Sequence, residues 1–235
     1  MKTLWDSPIK LNRMRKTIGI LALLFMAFGI RVHAQEQQQY NAWNALFTSY
    51  SLTASNSLLL ETHYRTKEFY GIQDQILIRP SFRRKISKNA TLSVGYTFIS
   101  NGVGVSKVNE NNLWEQLFVS YPITRRINLF GWIRAEHRWI DSGTVDFSTR
   151  LRFRNGFNIP LNKGGIRLIA YNETFLNFSN SFPVLFNQNW SYIGFSKKLK
   201  PNLRLQTGYQ RTSVNKNYGV LAKNIWFTIL FWDLP

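Results

Sequence analysis

The sequence predicts an all-β fold: a transmembrane antiparallel up-and-down β-barrel of about 10–12 strands, preceded by a signal peptide. Three observations predict this fold. Runs of about ten residues alternate between apolar and polar side chains, and short turn signals recur at intervals of 33 to 38 residues. Aromatic residues lie near the ends of these runs, as an interfacial girdle requires: Tyr121, Trp139, Tyr209 and Trp232.

The first 34 residues have the three regions of a secretory signal peptide. Four basic residues between Lys10 and Lys16 precede an uncharged, mostly apolar run over residues 17–30, and Val32-His33-Ala34 follows the small-residue rule for cleavage. The run is shorter than the roughly 20 residues that span a bilayer, which argues against a membrane anchor. We therefore predict a signal peptide over 1–34, cleaved near Ala34, and an outer-membrane β-barrel domain over 35–235.

The composition bears on the partners of the domain and on what holds it together. Thirty Lys and Arg against twelve Asp and Glu give a net charge of +18, a balance that often indicates nucleic-acid binding. Export and the dispersal of the basic residues along the strands argue against a nucleic-acid partner. The chain has no cysteine, so the core or the membrane, rather than disulfides, must hold the exported domain.

Turn signals divide the predicted barrel into hairpins. The short turns centre on Ser55, Lys88, Arg125, Lys163 and Pro201. The longer connections are predicted at 70–73, 101–112, 141–144, 179–184 and 215–219. Short turns at one end and longer loops at the other are typical of outer-membrane barrels, and strands of ten residues or more exceed the five to six usual in a soluble sandwich.

Alternation assigns most strands an inner and an outer face. It is clear in 57–69, 75–86, 91–99, 127–139, 146–157 and 203–210, and too weak to assign faces in 41–52, 113–121 and 167–177. About eleven strands result, although bacterial single-chain barrels have even numbers. Half of the Lys and Arg residues after Ala34 lie near the short turns, without acidic residues. This basic rim either contacts anionic phospholipid headgroups or is simply solvated.

The segment 146–157 shows what the inner face contains. Arg150, Arg152 and Arg154 share one face of this strand, while Leu151 and Phe153 share the other, which we expect to meet lipid. The same phase places the following residues in the lumen: Glu61, Arg65, Arg79, Arg83, Arg134, Glu136, Arg138, Arg150, Arg152 and Arg154. Glu115 and Glu173 are expected to join them.

This set contains eight arginines but, with Glu115 and Glu173 included, only four glutamates, so ion pairing cannot neutralise the lumen. Unpaired arginines in a dry interior would be very costly, which predicts a wet lumen that holds water or anions. A ring of positive side chains is how anion pores are built. The alternative is a non-conducting interior in which the arginines stabilise the barrel.

Catalysis finds little support in the sequence. His63 and His137 are the histidines of the barrel domain, with His63 on the inner face and His137 on the outer face near Trp139. Ser148 falls on the inner face, so no hydroxyl is clearly placed to act as a nucleophile with His137. No cofactor and no metal site are predicted, although the loop acids Asp141 and Asp146 could bind a divalent ion weakly.

Six segments together resemble a known family: "NLWEQL" at 112–117, "RAEHRW" at 134–139, "RLRFR" at 150–154, "YNETFLNF" at 171–178, "NQNW" at 187–190 and "TGYQ" at 207–210. The chain resembles the domain of unknown function 2490, a family of outer-membrane proteins of gram-negative bacteria. The resemblance implies a barrel in the outer membrane and no particular activity.

Four hypotheses about function follow. The first is a narrow channel or passive transport barrel for small anionic solutes. The others are a non-conducting structural or envelope-interaction barrel, an outer-membrane lipid-modifying enzyme, and a soluble periplasmic binding barrel. The expected partners are outer-membrane lipids, small anionic solutes and, during insertion, the barrel-assembly machinery.

Overall fold

The computed structural model describes residues 36–102, 107–124, 126–162, 164–178, 185–216 and 219–235. The predicted signal peptide over 1–34 lies outside the described residues. Within them the chain forms eleven strands: β1 (Glu36–Ser51), β2 (Asn56–Lys67), β3 (Ile72–Lys85), β4 (Ala90–Asn101), β5 (Val108–Pro122), β6 (Asn128–Asp141), β7 (Val145–Pro160), β8 (Ile166–Phe178), β9 (Phe186–Lys200), β10 (Leu203–Lys216) and β11 (Gly219–Asp233). None of the described residues forms a helix long and apolar enough to cross a membrane.

The eleven strands form a closed barrel in which each strand pairs with its neighbours in sequence. Consecutive strands are antiparallel, as predicted, but the closure is not: β1 pairs with β11 in parallel, from Glu36 opposite Val220 to Ser49 opposite Asp233. The parallel closure follows from the odd strand number, because the first and last strands of such a meander run in the same direction. The barrel and the range of 10–12 strands are confirmed.

Two rims result from this topology. The C-terminal rim, where β11 ends, carries the connections at 52–55, 86–89, 123–127, 161–165 and 201–202. The N-terminal rim, where β1 begins, is where β2 is followed by β3, β4 by β5, β6 by β7, β8 by β9 and β10 by β11. The links from β4 to β5 and from β8 to β9 contain the most residues and belong to the N-terminal rim, as predicted. The other connections predicted to be longer are not longer than the short turns, and the connection predicted at 101–112 is wrong in its bounds because β5 begins at Val108.

Side chains alternate between the lumen and the outer wall. In β7, Arg152 is only 4% exposed while Phe147 is 53% exposed, which is the period-two pattern of a strand with two different faces. The outer wall is largely apolar, with exposed side chains such as Leu58, Leu60, Ile78, Phe82, Leu92, Val94, Leu117, Ile133, Ile193 and Phe195. The structure also assigns faces where alternation was weak: Trp43, Trp114 and Glu173 are buried inside.

An apolar cluster fills one side of the interior. It is built from β1, β8, β9 and β11: Trp43, Ala45, Ile169, Tyr171, Tyr192, Ile225, Phe227 and Ile229. On the other side, Trp114 lies against Gly95 so closely that a Cβ there would be 2.4 Å from the indole ring. A residue without a side chain is therefore required at position 95.

Candidate functional site

The barrel interior holds a cavity of about 870 Å³ with two chemically different sides. The basic wall comes from β2, β3, β6 and β7 and consists of Arg65, Arg79, Arg134, Arg138, Arg150, Arg152 and Arg154. The aromatic wall comes from β1, β8, β9 and β11 and consists of Trp43, Phe47, Tyr171, Trp190, Phe227 and Phe231. Cations therefore predominate over the arc from β2 to β7 and aromatic rings over the arc from β8 to β1, although Trp132 lies among the arginines and Arg204 and Lys223 lie in the aromatic arc.

Glu136 and Glu173 connect the three arginines of β7. Glu136 accepts hydrogen bonds from Arg150 Nε at 2.7 Å and from Arg152 Nη1 at 2.6 Å. Glu173 accepts one from Arg152 Nε at 2.7 Å and one from Arg154 Nε at 2.8 Å. Arg152 thus bridges carboxylates on the two strands that flank its own. Both glutamates are completely buried, so each depends on these charge-assisted bonds.

Two further carboxylates each hold one arginine of the basic wall. Arg79 Nη1 donates to Glu61 Oε2 at 3.0 Å, and Arg79 Nε donates to Thr97 Oγ1 at 2.9 Å. Arg138 forms a bidentate pair with Glu110, with Nε and Nη2 each 2.7 Å from one carboxylate oxygen. A planar guanidinium matches a carboxylate in this two-bond geometry. These pairs hold Arg79 and Arg138 firmly, but each carboxylate neutralises only one positive charge of the basic wall.

Arg65, Arg83 and Arg134 carry three of the surplus positive charges, and the fourth comes from the three arginines of β7, which share two glutamates. Within the part of the chain that the structure describes, neither Arg65 nor Arg83 has a carboxylate oxygen within 4.0 Å. The carboxylate oxygen nearest Arg134 is Glu136 Oε1, which lies 3.8 Å from Arg134 Nη1. Arg134 Nε and Nη2 donate instead to the neutral Gln116 Oε1, at 2.9 and 2.7 Å. The eight predicted arginines thus meet four glutamates, Glu61, Glu110, Glu136 and Glu173, and an excess of four positive charges remains.

Aromatic rings support the arginines that lack a full carboxylate partner. The Cζ atom of Arg65 lies 3.9 Å from the ring centroid of Trp43, and that of Arg134 lies 4.1 Å from the centroid of Trp114. Attraction between a guanidinium and an aromatic face strengthens when both are withdrawn from water. The rings therefore stabilise these cations without neutralising them, and the charge stays available to a ligand.

Glu115 is not in the lumen, and this prediction is wrong. The inward residues of β5 are even-numbered, including Trp114 and Gln116, so Glu115 points to the outer wall, where its side chain is 56% exposed. The sequence did not show which residues of β5 face inwards, because Leu117, Phe118 and Val119 are all apolar. Glu110 was missed for another reason: it was predicted to lie in the connection at 101–112, but β5 begins at Val108, and Glu110 faces the lumen and pairs with Arg138. The other predicted lumen residues lie on inward-facing positions.

The two histidines lie on opposite faces of the sheet, as their phases predicted. His63 is buried in the lumen, with Nε2 3.6 Å from Glu61 Oε2. His137 lies on the outer wall, with Nε2 3.4 Å from Glu115 Oε1. Ser148 is completely buried on the inner face, so the sheet separates its hydroxyl from His137. A histidine beside a carboxylate is thus present outside the barrel, but Ser148 cannot act as its nucleophile.

Comparison with known proteins gives a family and no activity. The model of the family described as "Protein of unknown function (DUF2490)" matches residues 40–221. No curated protein and no solved structure matches the chain. The match spans most of the barrel, from β1 into β11, and it confirms the resemblance found in the sequence motifs. The chain belongs to the DUF2490 family.

Proposed function

We propose that this protein is an outer-membrane barrel of a gram-negative bacterium that lets small anions enter and cross its lumen. The observation that carries the proposal is the excess of arginine over glutamate around an internal cavity of about 870 Å³. Clustered positive side chains in a pore favour anions over cations. The positive charge belongs to inward-facing positions on several strands, so an anion inside the barrel would meet it from more than one side.

The outer wall supports the location in a membrane. Its exposed side chains are predominantly apolar, and Trp139 and Phe147 form an aromatic contact on it near the N-terminal rim, with ring centroids 5.4 Å apart. The strands have 12 to 16 residues, more than the nine to eleven or so that a tilted strand needs to cross a bilayer. The signal peptide predicted over 1–34 supplies the export that this location requires.

The middle of the lumen is narrow, which limits the size of the solute. Trp43 on β1 and Trp190 on β9 are not on neighbouring strands, yet their ring centroids are 5.3 Å apart. Arg152 reaches the same region, with Cζ 5.6 Å from the Trp190 centroid. Only a small anion, or one that displaces these side chains, would pass.

A second function is favoured by the ionic network itself. Glu136, Arg152 and Glu173 tie three adjacent strands together inside the barrel, and such a network can serve stability alone. In that case the protein is a non-conducting structural or envelope-interaction barrel. The two functions differ in one measurable property, which is whether ions cross the barrel.

The decisive experiment is single-channel recording from the refolded chain 35–235 in a planar bilayer, with folding verified by heat-modifiable gel mobility. Arg83 and Arg84 provide a matched pair, because they are consecutive in β3 but Arg83 faces the lumen and Arg84 the outside. We expect discrete anion-selective steps in the parent chain, reduced selectivity in Arg83→Gln and unchanged selectivity in Arg84→Gln. Silence from the folded parent chain would reject conduction and leave the structural function.

Fractionation tests the location independently of conduction. We expect the protein in the outer-membrane fraction, released only by detergent. The intact mass should correspond to a chain that starts at Gln35. Recovery in the soluble periplasmic fraction without detergent would instead identify a periplasmic binding barrel.

A further inference from the structure

We infer that the lumen binds small organic anions that carry an aromatic ring, with the anionic group against the basic wall and the ring against the aromatic wall. This inference rests on the proposed function, because it names the class of anion that enters the same lumen. A pore for inorganic anions needs only a ring of positive side chains. This cavity is lined by ten aromatic residues as well as by arginines, and its volume of about 870 Å³ falls within the range of small-molecule sites.

The anionic group has an anchor in the stacked pair of Arg65 and Trp43. These residues are opposite each other in the β1–β2 register, and both line the cavity. Both side chains are more than nine-tenths buried, yet within the described chain neither Arg65 Nε nor Trp43 Nε1 meets a hydrogen-bond acceptor. Buried donors in native proteins almost always have a partner, and a carboxylate supplies two acceptor oxygens.

A second cation of the same cavity is also incompletely satisfied. Within the described residues, Arg134 Nη1 is buried without an acceptor, while the other nitrogens of this guanidinium are held by Gln116. Because Gln116 is neutral, Arg134 keeps its net charge. The paired arginines of β7 are already bound to Glu136 and Glu173, so they offer less to a ligand than Arg65 and Arg134 do.

The aromatic ring of the ligand has a complementary surface next to this anchor. Trp190 and Phe227 both meet Trp43 edge to face, with centroid distances of 5.3 and 5.7 Å and interplanar angles of 66° and 80°. Phe47 and Phe231 extend the same surface towards the C-terminal rim. Aromatic rings gain from such arrangements beyond the burial of their area. An aromatic anion should therefore bind more tightly than an aliphatic anion of equal charge.

Calorimetric titration of the refolded chain 35–235 in detergent micelles tests this selectivity. The probes are benzoate, acetate and benzyl alcohol, which separate the contributions of the ring and the charge, with heats from empty micelles subtracted. We expect benzoate to bind at least about tenfold more tightly than either of the other two. Equal affinity for benzoate and acetate would overturn the inference.

Matched variants test the position of the site. Arg65→Gln removes a cation that has no carboxylate partner among the described residues, and Trp43→Phe keeps a ring but removes the indole donor. Each should weaken benzoate binding by about tenfold. Arg84→Gln and Trp226→Phe make the same changes on the outer wall, where both residues are exposed, and should leave binding unchanged. If Arg65→Gln does not refold, the comparison of the two tryptophan variants decides; equal effects inside and outside would overturn the inference.

Chloride conductance, measured on the same preparation, separates this inference from the proposed function. Conductance without a preference for benzoate would overturn the inference but would still support the proposed passage of anions through the lumen. Binding of benzoate without conductance would overturn the proposed passage of anions but would still support the binding site for aromatic anions. Failure of both measurements on folded protein would overturn both.

Discussion

Arg152 Nη1 donates a hydrogen bond of 2.6 Å to Glu136 Oε1, across the register between β7 and β6 and inside the barrel. Glu136 is 0% exposed, so its charge is balanced by side chains rather than by bulk water. Arg150 and, at 3.8 Å, Arg134 complete the positive surroundings of this carboxylate. Glu136 is therefore the residue whose neutralisation should affect stability most directly.

Glu136→Gln should destabilise the barrel by about 3–5 kcal/mol, because it leaves buried arginines without their counter-charge. Urea unfolding of the refolded protein, followed by tryptophan fluorescence, measures the loss. Glu115→Gln is the matched control: it removes the same charge from a partly exposed pair with His137 and should cost no more than about 1 kcal/mol. Equal losses in the two variants would contradict the account of the internal network.

Gly95→Ala should also lower stability, by about 1–3 kcal/mol, through overpacking. A Cβ at this position would lie 2.4 Å from the Trp114 ring and 2.7 Å from the carbonyl oxygen of Pro80, and the backbone oxygen cannot move away easily. The temperature at which heat-modifiable mobility is lost reports the change. Gly164→Ala, where the nearest atom is 3.4 Å away, should leave that temperature nearly unchanged. Normal stability of Gly95→Ala would show that Trp114 is not held against β4.

The parallel closure can be tested by engineered cysteines, since the natural chain has none. Asn44 lies opposite Thr228 in the β1–β11 register. A disulfide between Asn44→Cys and Thr228→Cys should form readily, because partners in adjacent strands fall within the Cα separation that a disulfide requires. Mass spectrometry of non-reduced peptides detects it. Asn44→Cys with Leu230→Cys, which is out of register, should cross-link much less, and the reverse preference would exclude this closure.

Replacement of His63 and His137 by glutamine should leave the lipid composition of the cell envelope and any lipase signal unchanged. His137 has a carboxylate beside it, but Ser148 is buried on the other side of the sheet. Lipid analysis by mass spectrometry of cells that express the parent or the double variant provides the comparison. A loss of lipid turnover that appears in His137→Gln and not in His63→Gln would establish the enzymatic hypothesis and assign it to the outer wall.

The sequence was sufficient for the architecture and for most of the basic wall. In β7, charged and apolar residues alternate from Arg150 to Arg154, so the three arginines could be assigned to one face from the sequence alone. Period-two alternation carries this information only where the two faces meet chemically different surroundings. Strands with one apolar wall and one charged lumen satisfy that condition.

Two features could not be predicted, for physical reasons. In β5 the run Leu117-Phe118-Val119 is apolar on both faces, because it meets the outer wall on one side and the interior on the other, and Glu115 was misplaced as a result. The parallel closure depends on contacts between distant residues, such as the 2.7 Å hydrogen bond from Ser49 Oγ to Asp233 Oδ1, 184 positions apart. Local patterns carry no signal for such a pairing, and turn signals gave only the approximate number of strands.

The odd strand number places the start of the first strand and the end of the last strand on opposite rims, which an even number would not. The first strand starts at Glu36 on one rim and the last ends at Asp233 on the other, so these two positions of the chain would face different compartments in a barrel that spans a bilayer. An epitope inserted before β1 and another placed after Pro235 would therefore report on opposite surfaces of the same cell. Antibodies applied to intact cells should reach only one of the two epitopes. Which epitope they reach would establish the orientation of the barrel in the membrane.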